Sequence, residues 1–116
     1  MPDMYIQGIK VGSLNEYNVA SALEKMRMQF QYQYPILGGH WVRGGQVLDF
    51  LVDRQPLPVP VLVQGEYWHS NPATEAFREI EISNYGKGYW DDLVKITEEE
   101  SATFESAFEA VRKKIR

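Results

Sequence analysis

Gln46-Val-Leu-Asp-Phe-Leu-Val52 and Val59-Pro-Val-Leu-Val-Gln-Gly-Glu-Tyr-Trp-His69 are two short apolar runs of strand length, separated by a proline-rich turn, Asp53 to Pro58. Both are rich in Val and Leu, as strands buried on two faces must be. In the second run Leu62, Gln64 and Glu66 alternate with Val61, Val63 and Gly65, so Gln64 and Glu66 project side by side at the strand's end. Asp49 stands midway along the first run between Leu48 and Phe50. A lone carboxylate there is costly unless it is paired, hydrogen-bonded or bound to a metal. Pairing the two runs as a hairpin brings these polar groups together.

Outward from this pair, the chain alternates helical and strand patterns. Residues 1–12 read as an extended N-terminal arm. Ser13 and Glu16 form an S-x-x-E capping box for a helix whose core face is Val19, Leu23, Met26 and Phe30. Phe30, Tyr32 and Tyr34 alternate with Gln29, Gln31 and Gln33 as a strand, which Pro35 and Gly38-Gly39 end. A glycine-bracketed tip then carries His40, Trp41 and Arg43. Asn71-Pro72 opens a second helix with Ala73, Phe77 and Ile80 inward. Leu93 to Ile96 reads as a strand. Thr97 with Glu100 caps a last helix bearing Phe104, Phe108, Val111 and Ile115. The order αβββαβα is α/β, a small mixed sheet of about four strands flanked by helices on both sides, in a single domain over residues 13–116.

The 116 residues carry a net charge of −4 with a pI near 5.1 and no cysteine. Disulfides, zinc-thiolate sites and cysteine catalysis are excluded. The charge argues against a protein that coats nucleic acid non-specifically, which needs a broad basic surface. No run reaches the roughly 18 apolar residues of a membrane span, and the start lacks a signal-peptide pattern. No membrane and a cytoplasmic location are the expectation.

One acid on a helix (Glu16), one within a strand (Asp49), then Gln64, Glu66 and His69 suit metal-dependent phosphodiester hydrolysis. Mg²⁺ or Mn²⁺ takes oxygen ligands, and Asp49, Glu66 and Glu16 would supply them. His69 would act as acid or base, and Gln64 would coordinate the ion or position water. Trp41 and Arg43 would stack on a base and pair with phosphate. The structural alternatives are plain: Asp49 in an ion pair with Arg43, Arg54 or Arg78, and Glu16 as a helix cap alone.

The residues Ser13-Leu-Asn-Glu16, Leu23, Phe30-Gln-Tyr-Gln33-Tyr-Pro35, Val47-Leu-Asp49-Phe50 and Gln64-Gly-Glu66-Tyr-Trp68-His69 together resemble the Vsr-like (very-short-patch-repair) branch of the PD-(D/E)XK restriction-endonuclease superfamily. The resemblance spans roughly residues 13 to 112. It implies a restriction-endonuclease-like fold and an endodeoxyribonuclease that nicks or cuts DNA. Asp49 matches the metal-binding strand aspartate and Glu66 the second acid. His69 matches the terminal histidine, Glu16 the first-helix glutamate, and Trp68 an aromatic lying close to DNA. Arg78 would face the phosphate. Gln64 departs from the usual Glu, Glu66 stands where the superfamily has lysine, and Tyr67 replaces a frequent glycine. Two other readings stay open: a catalytically weakened nuclease-fold module that binds DNA or docks on a larger DNA-processing assembly, and an unrelated α/β protein-interaction domain. A homodimer would suit double-strand cleavage.

Overall fold

The computed structural model describes residues 4–39, 46–64 and 72–116, with the backbone alone at 72–75. It is an α/β architecture with a mixed four-stranded sheet and three helices. Strands β1 (Tyr5–Ile6) and β2 (Ile9–Lys10) form a short antiparallel hairpin. Helix α1 (Leu14–Lys25), strands β3 (Phe30–Ile36), β4 (Gln46–Val52) and β5 (Val59–Val63), helix α2 (Pro72–Tyr85), strand β6 (Val94–Ile96) and helix α3 (Phe104–Lys114) follow. The sheet order is β3-β4-β5-β6, antiparallel except for the parallel pair β5–β6. The predicted hairpin of β4 and β5 is therefore present, with Phe50 opposite Val61.

Helices cover both faces of the sheet. Val19, Ala22 and Leu23 of α1 and Ala107, Val111 and Ile115 after it pack with Tyr32, Phe50, Val52, Val61 and Val63. On the other face Ile82 of α2 packs with Ile36, Leu48 and Leu62. β5 is buried along its whole length, as its unbroken apolar run requires. The N-terminal segment is no free arm: Ile6 and Val11 are buried against α1's cluster.

The two faces meet at a local break. Tyr32 and Phe50 join the α1/α3 cluster, yet Tyr34 and Leu48, two residues away on the same strands, join the α2 cluster. Residues two apart in a regular strand share a face, so the face changes between them. The change falls at Gln33, with φ +55, and at Asp49 on the neighbouring strand. Register pairing runs from Phe30–Val52 to Ile36–Gln46 and skips only this pair.

Several boundaries differ from expectation. Pro35 lies within β3 instead of ending it, which an outer strand permits because proline removes a ladder donor. Thr97 and Glu100 do exchange the predicted box of hydrogen bonds, but they close a single turn. The last helix starts later, capped by Thr103 with Ser106, so Phe104 and Phe108 stack on each other at its margin. The largest correction concerns α2. Phe77 and Ile80 are 63% and 57% exposed, and among the described side chains of the helix Ile82 is the buried one. The helix is turned so that Arg78 reaches β4, donating to Gln46 Oε1 at 3.1 Å and to the Val47 carbonyl at 2.8 Å. Polar bonds, which hydrophobic spacing does not register, set this rotation.

A buried polar knot ties α1 to the turn before α3. Asn15 Nδ2 donates to Ser101 Oγ at 2.9 Å and to the Glu98 carbonyl, and Asn18 Nδ2 to the Ser101 carbonyl at 2.9 Å. Ser101 is fully buried. Asn15→Ala is expected to lower stability by about 2 kcal/mol, because it strands buried acceptors. Chemical denaturation, with Asn15→Gln as the conservative comparison, measures it.

Candidate functional site

The site is built where β4 and β5 part. Their antiparallel ladder covers Phe50 to Val52 against Val61 to Val59 and does not reach Val63. There the Asp49 carboxylate substitutes for a backbone partner: Val63 N–H donates to Asp49 Oδ2 at 2.7 Å. The next amide, Gln64 N–H, turns the other way and donates to the Ile96 carbonyl of β6 at 2.9 Å. Asp49 thus sits in the fork between two diverging strands, roughly in the plane of the sheet, with Gln64 one residue beyond the amide it binds.

Both faces of the sheet act on this carboxylate. Its pKa is pushed up to about 7, first by burial and then by the negative charge of Glu16 from α1. The Val63 amide and the Arg78 guanidinium oppose the rise without cancelling it. Arg78 is thus near enough to act on Asp49, while its hydrogen bonds go to Gln46 and Val47. Arg54, the other described candidate for an ion pair with Asp49, is paired with Asp91 and with the Ile115 carbonyl.

Glu16 is positioned by a small cage. Ser13 caps α1 by accepting from Glu16 N–H at 3.2 Å, and its hydroxyl donates to Glu16 Oε2 at 3.1 Å. Tyr32 hydroxyl donates to Glu16 Oε1 at 2.6 Å and accepts from Gly12 N–H at 3.2 Å. The carboxylate therefore serves two hydroxyls and not the reciprocal backbone bond of a capping box. Gly12 must be small here, since a Cβ would stand 2.8 Å from Glu16 Oε2. Burial and the bond to Glu16 hold the Tyr32 phenol well above its ordinary pKa, so it stays a donor. Tyr32 is a site residue that the aromatic alternation of β3 did not single out. Tyr32→Phe is expected to cost about 1–2 kcal/mol, by leaving the Gly12 amide and one Glu16 oxygen short of a partner; equilibrium unfolding checks it.

The structure thus places Glu16 and Arg78 near enough for their charges to act on the Asp49 carboxylate, with Gln64 following the amide that Asp49 binds. Glu66, Trp68 and His69, and the loop pair Trp41 and Arg43, lie outside the described residues. Among the described residues no three His, Cys, Asp or Glu side chains group as a metal site. No described helix is long and apolar enough to cross a membrane. Compared with family models, with curated proteins and with solved structures, the chain finds no significant match.

Proposed function

We propose that this chain is a Mg²⁺- or Mn²⁺-dependent DNA endonuclease whose centre is the fork at Asp49. The observation that carries the reading is the Asp49 carboxylate itself. It is held at a strand fork, buried, and made harder to ionise by a second carboxylate, Glu16. Two acids that repel each other favour a shared divalent cation, and hard oxygen donors suit these ions. Asp49 and Glu16 would hold the ion together with Glu66, which follows Gln64 by two residues in sequence. A bound ion would supply charge for the phosphate and acidity for a water. Gln64 would orient that water, His69 would take or give the proton, and Arg78 would offset charge on the phosphate. Trp68, Trp41 and Arg43 would contact DNA.

A second reading rests on the bond from Val63 to Asp49. A carboxylate that completes a strand ladder is also a structural part, as in a nuclease-fold module that no longer cuts. Supercoiled plasmid incubated with the protein and Mg²⁺ or Mn²⁺ separates the two. The endonuclease reading expects nicked circles that EDTA prevents; intact plasmid at all metal concentrations rejects it.

A further inference from the structure

A groove on the α2 side of the sheet carries a different chemistry. Tyr34, Tyr85, Tyr89 and Trp90 wall a pocket of about 520 Å³ with Leu51 and Pro58. Its size suits a ligand-binding cleft, and none of its described lining side chains is charged. The Tyr34 and Trp90 rings stand nearly perpendicular, at 81° with centroids 6.4 Å apart, and Tyr85 tilts by 36° against Trp90 at 5.6 Å. Both tyrosine rings meet Trp90, so the slot has one continuous aromatic wall.

Trp90 is held there at a cost. Its indole lies directly on Gly86, where a Cβ would fall 1.6 Å from Nε1. Nε1 itself is buried with no hydrogen-bond partner among the described residues, a penalty that core packing alone does not need. Tyr89, by contrast, is 78% exposed, which leaves a large ring open to solvent beside the slot.

Leu51 and Pro58 are shared with a second depression of about 260 Å³, whose far end is Gln29, Gln31 and Asp53. The groove therefore runs from an uncharged aromatic slot to amides and an exposed carboxylate. Asp53 follows the last residue of β4, two residues beyond Leu51, at most about 7 Å along an extended chain. Two residues of a polyproline II helix span about 6 Å. Aromatic-lined grooves take proline rings from such segments because the peptide is already extended before it binds. The glutamine side chains and tyrosine hydroxyls can serve its unpaired backbone groups. A polyanion is disfavoured, since the charge lining the groove is negative and the chain's net charge is −4.

We propose that this groove binds a proline-rich extended peptide, with a proline ring in the aromatic slot and an Arg or Lys two residues along, paired with Asp53. The site is separate from the fork at Asp49 and does not depend on nuclease activity. The test is a ¹⁵N-¹H titration of the full chain with a proline-rich decapeptide carrying one arginine two residues from a proline. The same peptide with glutamate for arginine and a short oligothymidine serve as comparisons. Saturable shifts are expected at the Trp90 indole and at the Gln31, Leu51 and Asp53 amides. Tyr89→Ala, at a position too exposed to disturb folding, should weaken binding at least about tenfold. Asp53→Asn should weaken the arginine peptide by about threefold to tenfold and remove its advantage over the glutamate peptide. The proposal is overturned by absence of saturable shifts at millimolar peptide, by unchanged affinity in Tyr89→Ala, or by oligothymidine moving these signals while the peptide does not.

Discussion

Asp49→Asn is expected to reduce plasmid nicking at least about a hundredfold while making the protein more stable at pH 8. The activity loss follows from removing a charged ligand of the proposed ion, since an amide neither neutralises the cation nor holds it as tightly. The gain in stability follows from the raised pKa. An ordinary aspartate near 3.8 is shifted to about 7 in the fold, so the folded chain holds this proton more tightly than the unfolded chain. The stabilising effect of the protonated form is complete below about pH 4 and is lost as pH rises through 7. A shift of this size corresponds to on the order of 4 kcal/mol. Asparagine can keep the bond from Val63 without carrying the charge. Thermal unfolding should therefore show the variant more stable by about 2–4 kcal/mol at pH 8, roughly 8–16 °C in Tm. At pH 4 the two curves should nearly coincide. A variant that nicks as fast as the parent removes Asp49 from the chemistry. One that is less stable at every pH shows instead that the carboxylate is only a strand clamp.

Manganese should act on the same group from the other direction. At pH 8 the Asp49 carboxylate is opposed by the charge of Glu16, and a divalent cation held by both would relieve that repulsion. Wild-type Tm should climb with added Mn²⁺, by the equivalent of about 2.7 kcal/mol at a hundred times the dissociation constant. The rise should shrink at pH 5.5, where the proton competes for Asp49, and vanish in Asp49→Asn. Glu66→Gln should diminish it. Calorimetry at the two pH values measures this without any reference to DNA cleavage. A Tm indifferent to Mn²⁺ at pH 8 would leave the fork without its ion.

The strands that frame the fork were legible because their apolar runs are uninterrupted, and Asp49 stood out because it breaks one of them. Glu16 was also visible, as an acid three residues after a capping serine. Its partner Tyr32 was not. Nothing in the alternation of Phe30, Tyr32 and Tyr34 shows that the strand reverses its faces at Gln33 and turns one hydroxyl toward α1. The orientation of α2 is hidden from the sequence for a related reason. Ala73, Phe77 and Ile80 make a convincing apolar stripe, yet the helix is anchored by Ile82 and by the bonds of Arg78 to Gln46 and Val47. The start of α3 is equally hidden, because Thr97 and Glu100 make good end bonds for one turn that does not continue. Periodicity reports where oil meets water, and these features are decided by single polar contacts.

The outer strand β3 has one more consequence. The Gln7 side chain covers its open margin, donating to the Phe30 carbonyl at 2.5 Å and accepting from Tyr32 N–H at 2.9 Å. Gln33 then twists out of line and Pro35 has no donor to offer. Among the described residues the row of groups that a second chain would use to add a strand is thus covered or interrupted, which blunts the usual route to fibrils and sheet-extended pairs. Self-association along that side is steered toward side chains meeting side chains.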